Sequence, residues 1–164
     1  MNATGESRRG ALLRHPAGWI ATGFGAGFSP VAPGTAGSLA ALLPWLFLRD
    51  LAPIVYAMVV VLAFVLGVWA CAWVVRTQHV ADPACAVWDE FVGQWITLAP
   101  LLWHPSGWIG VAAAFILFRI FDIAKPWPVS WADRSVEGGL GVMLDDVFAG
   151  LYAALALALL LRWL

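Results

Sequence analysis

From Ala52 to Val75 the chain carries no charged side chain. A helix needs about 20 predominantly apolar residues to cross the hydrocarbon core of a bilayer. This stretch exceeds that length, so the chain is built to fold in lipid. Four further apolar segments accompany it: Ala36–Leu48, Phe91–Trp103, Trp108–Phe121 and Val147–Leu161. The last is nearly long enough to cross. Ala36–Leu48 and Phe91–Trp103 are short, and read as tilted, re-entrant or extended by flanking residues. Composition agrees: only 12% of residues are charged, against about 25% in soluble domains. Backbone in lipid must satisfy its own hydrogen bonds, and no strand pattern stands out. The expected fold is therefore all-α, a polytopic membrane helical bundle with four to five apolar segments and a polar site at the cytoplasmic face. One domain over residues 1–164 suits the length, with residues 1–17 expected to be a flexible cytoplasmic N-terminus.

The charges sort by side. With the N-terminus cytoplasmic and every segment crossing, residues 1–35, 76–90 and 119–146 fall inside. Seven of the nine Lys/Arg then lie inside, and only Arg49 and Arg162 outside, as the positive-inside rule requires. Ser7-Arg8-Arg9 resembles a twin-arginine export signal only weakly, since Pro16 and the Gly/Phe-rich stretch break any apolar core after it. These arginines read as cytoplasmic anchors. Acidic residues are not sorted by the rule, yet nine of ten fall on the same side, Asp50 being the exception. A single polar site would explain that clustering. Trp88, Trp103, Trp108, Trp127 and Trp163 sit near segment ends, where indoles favour the interface. A net charge of −1 argues against a nucleic-acid partner, and no obligate protein partner is evident.

Four polar constellations interrupt the apolar segments. In the first, Gly23-Phe-Gly-Ala-Gly-Phe-Ser-Pro-Val-Ala-Pro-Gly-Thr-Ala-Gly-Ser38, glycines and prolines forbid a regular helix. A loop feeding a helix N-terminus is a ready anion site, with Thr35 or Ser38 as cap; the competing reading is a structural turn. It lacks the Gly-Lys-Ser/Thr of a P-loop. In the second, Trp88-Asp89-Glu90-Phe91-Val-Gly93, two carboxylates open an apolar helix, as caps or as hard cation ligands. In the third, Arg119, Asp122 and Lys125 step by three along one helix face before Pro126. They are an ion-pair ladder, or a cation ligand beside phosphate-binding bases. In the fourth, a glycine-rich loop after Asp133-Arg134 leads to Asp145-Asp146 at the start of the last apolar helix. Two acidic pairs at two helix starts on one side suggest a shared site.

Asp89, Glu90, Asp122, Asp145 and Asp146 thus stand beside Arg119, Lys125 and Arg134. Carboxylates without His or Cys suit Mg2+ or manganese and not zinc. Cations for anionic oxygens complete the parts needed for phosphoryl chemistry. Cys71 and Cys85 make no disulfide framework, and the spacing from Cys71 to Arg76 is one residue short of a cysteine-phosphatase loop.

The four motifs, in this order from Gly23 to Gly150, resemble the phosphatidylglycerophosphatase A family. The resemblance carries Gly-Phe-Gly-x-Gly-x-Ser-Pro-x-x-Pro-Gly-Thr-x-Gly-Ser, Trp-Asp-Glu-x-x-Gly, Phe-Arg-x-x-Asp-x-x-Lys-Pro-Trp-Pro and Gly-Gly-x-Gly-x-Met-x-Asp-Asp-x-x-Ala-Gly. It implies a bacterial inner-membrane enzyme that hydrolyses phosphatidylglycerophosphate to phosphatidylglycerol and phosphate with magnesium. The family's acidic motif residues fall on Asp89, Glu90, Asp122, Asp133, Asp145 and Asp146, its basic ones on Arg119, Lys125 and Arg134. The expected metal ligands and catalytic acids are Asp89, Glu90, Asp122, Asp145 and Asp146. The expected substrate contacts are Arg119, Lys125, Arg134 and Asp133, with Gly34, Thr35 and Ser38 near a second phosphate. Two other readings compete: a CDP-alcohol phosphotransferase, whose Asp-Gly-x-x-Ala-Arg opening is absent, and a small cation transporter or channel, which needs acids at mid-span.

Overall fold

The computed structural model describes residues 9–163, so Glu6 and the proposed anchor Arg8 lie outside the described residues, as do residues 1–8 of the N-terminal stretch. Residues 9–12 are helical. The helices that follow are α1 (Pro16–Ala21), α2 (Pro33–Ala40), α3 (Leu42–Leu48), α4 (Pro53–Gln78), α5 (Trp88–Leu98), α6 (Gly107–Ala124), α7 (Val129–Ser135) and α8 (Gly138–Leu160). Short 3-10 turns at Ala26–Phe28 and Ala99–Leu102 complete the fold. The described residues contain no strand, and the chain is an all-helical membrane bundle.

Three helices, α4, α6 and α8, are long and apolar enough to cross a membrane. α4 begins with a proline in its first turn and ends at His79 in the left-handed region, with Arg76 in the last turn. Each feature suits the helix end at which it lies. The two short segments turn out differently. The first is divided into α2 and α3. The third becomes α5, eleven residues long, with Asp89, Gln94, Trp95 and most of its other side chains buried. Its 3-10 continuation is tolerated because irregular backbone at membrane depth needs protein around it.

Three expectations are corrected here. Thr35 and Ser38 do not cap a helix: α2 starts at Pro33 after Ala32, which lies in the left-handed region, and no side chain caps it. The Gly138–Gly141 stretch is helix and not loop, so Asp145 and Asp146 sit two turns inside α8. Trp88 is buried and not interfacial; its indole donates to the Ala63 carbonyl at 2.9 Å and stacks on Phe91.

The bundle's centre is the α5–α8 crossing. It is close because glycines face each other there. A methyl group on Gly150 would lie 2.6 Å from the Gly93 carbonyl oxygen, and one on Gly93 2.8 Å from the Asp146 carbonyl oxygen. Gly139 meets the α4 backbone at Val68 and Ala72 in the same way. Small residues let membrane helices approach until their backbones touch. Successive segments run back and forth. Arg49, Asp50 and the 101–108 turn gather at one end around a cavity of 340 Å³. Residues from the α2 start, the α4–α5 link, the α6 end, α7 and the α8 start line a larger cavity of 590 Å³ at the other.

Candidate active site

The larger cavity collects most of the residues that sequence patterning singles out. Gly34, Asp89, Glu90, Arg119, Asp122, Lys125, Asp133, Arg134, Asp145 and Asp146 all line it. Thr35 and Ser38 stand outside its lining. Ser38 is buried, donates its hydroxyl to the Gly34 carbonyl at 2.9 Å and accepts from Arg119 Nη1 at 3.3 Å. It orients the arginine from behind. Asp82 and Glu137 also line the cavity, and no motif pointed to them. Their only signal was their place in the inside-facing links.

The structure divides the five candidate carboxylates. Asp89, Glu90 and Asp146 each offer an oxygen, and these oxygens lie within 4.8 Å of one another. The α5–α8 glycine contact brings them together one turn from the crossing. Asp122 pairs with Arg119 one turn back on α6 and is a neighbour of Asp146. Asp145 is turned elsewhere: its Oδ2 accepts from Lys125 Nζ at 2.7 Å.

Three acids packed this way carry a cost. Burial, reinforced by the Glu90 charge, pushes the Asp89 carboxyl well above the ordinary carboxylate range. Burial also raises Glu90. Among the described residues, Glu90 Oε2 and Asp146 Oδ2 are buried with no hydrogen-bond partner. Native structures rarely leave such acceptors alone, and an ion is one of the explanations they call for. Three hard oxygen ligands without His or Cys fit a small divalent cation such as Mg2+. Gly34 matters to this arrangement. A methyl group there would lie 2.3 Å from Glu90 Oε1 and 3.2 Å from Arg119 Nη1. Glycine thus lets the first turn of α2 press against both groups.

Lys125 closes α6 in the left-handed region, and its ammonium pairs with Asp133 of α7 and Asp145 of α8. Burial works against the charge, but the two carboxylates outweigh it and hold the Lys125 pKa above the ordinary lysine range. The residue therefore ties three helices together beside Asp146. Lys125→Met is expected to cost about 1–3 kcal/mol, because it strands a largely buried carboxylate. Lys125→Arg should keep most of that stability. Thermal unfolding in detergent compares the two, and equal melting of Lys125→Met and wild type would refute the clamp.

A family model, phosphatidylglycerophosphatase A, matches residues 19–161. The chain belongs to this family. Curated relatives agree. The chain is 45% identical over 87% of its length to phosphatidylglycerophosphatase A of Escherichia coli (strain K12), covering 81% of that protein. It is 40% identical to the protein of the same name from Haemophilus influenzae, over 93% of each chain. A relative from Bacteroides thetaiotaomicron, described as a candidate phosphatidylinositol-3-phosphatase, is 45% identical over 88% of this chain and 92% of its own. No solved structure matches the chain. The matched region holds every cavity-lining residue named above.

Proposed function

We propose that the chain is a magnesium-dependent lipid phosphatase that hydrolyses the terminal phosphomonoester of phosphatidylglycerophosphate, releasing phosphatidylglycerol and phosphate. Family membership makes it a phosphatase. The observation that carries the finer reading is the Asp89–Glu90–Asp146 cluster, with its orphaned buried oxygens, in one cavity with Arg119.

Asp89, Glu90 and Asp146 would hold the cation. When bound, it supplies charge neutralisation for phosphoryl oxygens and acidity to water. Arg119 lies beside Glu90 across Gly34 and offsets the charge that develops on the phosphate. Asp122 and Ser38 fix its direction. A carboxylate of the cluster takes the proton of the attacking water as the water oxygen bonds to phosphorus, the phosphorus–oxygen bond to the glycerol breaks, and the leaving glycerol oxygen takes up that proton from the carboxylate. The acyl chains remain in lipid. Exposed Trp127 and Trp131 flank the cavity's α7 wall, which suits a mouth at the level of the lipid head groups. The distribution of Arg and Lys supports a site on the cytoplasmic side of the bacterial inner membrane.

The transporter alternative needs acids along a path through the bundle. Here Asp89, Asp122 and Asp146 share one end cavity. The Bacteroides relative's description favours one second reading, a 3-phosphorylated inositol lipid as substrate. Purified protein in detergent should release phosphate from phosphatidylglycerophosphate faster than from phosphatidylinositol 3-phosphate. EDTA should stop the reaction and excess Mg2+ restore it. Release that survives EDTA would remove the cation from the mechanism, and the reversed preference would replace the substrate.

A further inference from the structure

We propose that Arg134 reads the second, non-scissile phosphodiester of the substrate and so selects lipids that carry two phosphates; this rests on the phosphatase reading above. Three cations line the cavity. Arg119 is held by Asp122 and Ser38. Lys125 is held by Asp133 and Asp145. Arg134 is the one cavity cation without an ion pair or side-chain hydrogen bond among the described residues. Its charge is therefore the one not already engaged by a neighbouring side chain among the described residues.

Position points to which phosphate it takes. Asp146 and Asp89 are buried, and Arg119 is nearly so, whereas Arg134 is exposed on the last turn of α7. Trp127 and Trp131, both exposed, precede it, and indoles of this kind settle at head-group level. The cavity rim also carries Ile123, which is 72% exposed. A lipid entering from its own leaflet places its terminal phosphate deepest and its diester nearer the acyl chains. Ranked by burial, the cavity's groups run from the buried acids through Arg119 to exposed Arg134, a ranking that matches the order of phosphates along that head group. A guanidinium binds two phosphate oxygens in one plane, so the contact is directional as well as electrostatic.

The test uses two inhibitors of phosphate release by the full chain in detergent. Phosphatidylglycerol in mixed micelles keeps the diester and lacks the monoester; inorganic phosphate mimics the monoester alone. Arg134→Gln should weaken inhibition by phosphatidylglycerol about 10–100-fold, the range for losing a charge-assisted hydrogen bond. Inhibition by inorganic phosphate should weaken far less, and the KM for phosphatidylglycerophosphate should rise more than kcat falls. Arg134→Lys keeps the charge and should fall between the two. Equal weakening of both inhibitors would assign Arg134 to the scissile phosphate and overturn the proposal. So would unchanged inhibition by phosphatidylglycerol, no such inhibition of the wild type, or a variant that no longer folds. A wild type that hydrolyses no lipid phosphate would instead defeat the phosphatase reading, and binding of phosphatidylglycerol micelles would still test Arg134 by itself.

Discussion

Asp146→Asn is expected to abolish turnover while leaving the bundle folded and, without metal, more heat-stable than the wild type. Asp146 is only 3% exposed and shares its space with Asp89, Glu90 and Asp122. Like charges at this distance in a poorly solvated site repel strongly. Replacing one carboxylate by an amide of the same shape relieves that repulsion and keeps the packing. It also removes one of the three proposed cation ligands. Loss of an outer partner of a metal typically costs 10–100-fold, so loss of a direct ligand should cost at least about 10³-fold. The cation's effect on folding should vanish too. At a concentration of 100 times its dissociation constant, a cation stabilises by about 2.7 kcal/mol when it binds only the native state. Wild type should show that gain in thermal unfolding with Mg2+, and Asp146→Asn should show none. Wild-type rates of phosphate release from the variant would leave the cluster without a catalytic role.

Gly150→Ala should damage the site from a distance. The added methyl would lie 2.6 Å from the Gly93 carbonyl oxygen and 3.1 Å from its Cα. Neither is the end of a flexible side chain, so the two helices must separate. Overpacking of this kind costs about 1–3 kcal/mol. The chemical cost should be larger than the stability loss suggests. Asp146 lies one turn before Gly150 on α8, and Asp89 and Glu90 lie one turn before Gly93 on α5. Moving the crossing apart widens the carboxylate cluster, and positioning errors near 1 Å can cost about 10²-fold in rate. Gly10→Ala is the matched control, since a methyl there meets nothing within 4 Å. Activity of Gly150→Ala equal to that control would mean that the crossing does not set the cluster's geometry.

Much of the site could be read from residue types because its chemistry is local. Asp89-Glu90, Arg119-x-x-Asp122 and Asp145-Asp146 are charges interrupting apolar helices, and such charges are costly unless they do something. Their convergence was likewise implied by the alternation of segments across the membrane. What could not be read was how the acids divide. Asp145 and Asp146 are chain neighbours, yet a helix turns successive side chains about 100° apart. One therefore faces Lys125 and the other faces Asp89 and Glu90. The helix start was also misplaced, because glycines at Gly138–Gly141 read as loop by propensity. Tertiary contact with α4 at Gly139 makes them helix instead.

One long-range pairing is invisible in sequence for a similar reason. Ser38 and Arg119 are hydrogen-bonded across the bundle, and neither carries a mark of the other. The sequence by itself determined that this chain lives in lipid, is helical, keeps most of its charges on one side of its apolar segments and belongs with lipid phosphatases, since hydropathy and motif order are properties of the chain alone. The tertiary structure decided that three acids meet while a fourth and a fifth are claimed by Arg119 and Lys125. It also decided that α5 is an interior helix. Those outcomes depend on how closely backbones approach at Gly93 and Gly150, and on the room Gly34 leaves for the Glu90 and Arg119 side chains, distances set jointly by two helices and encoded in neither one.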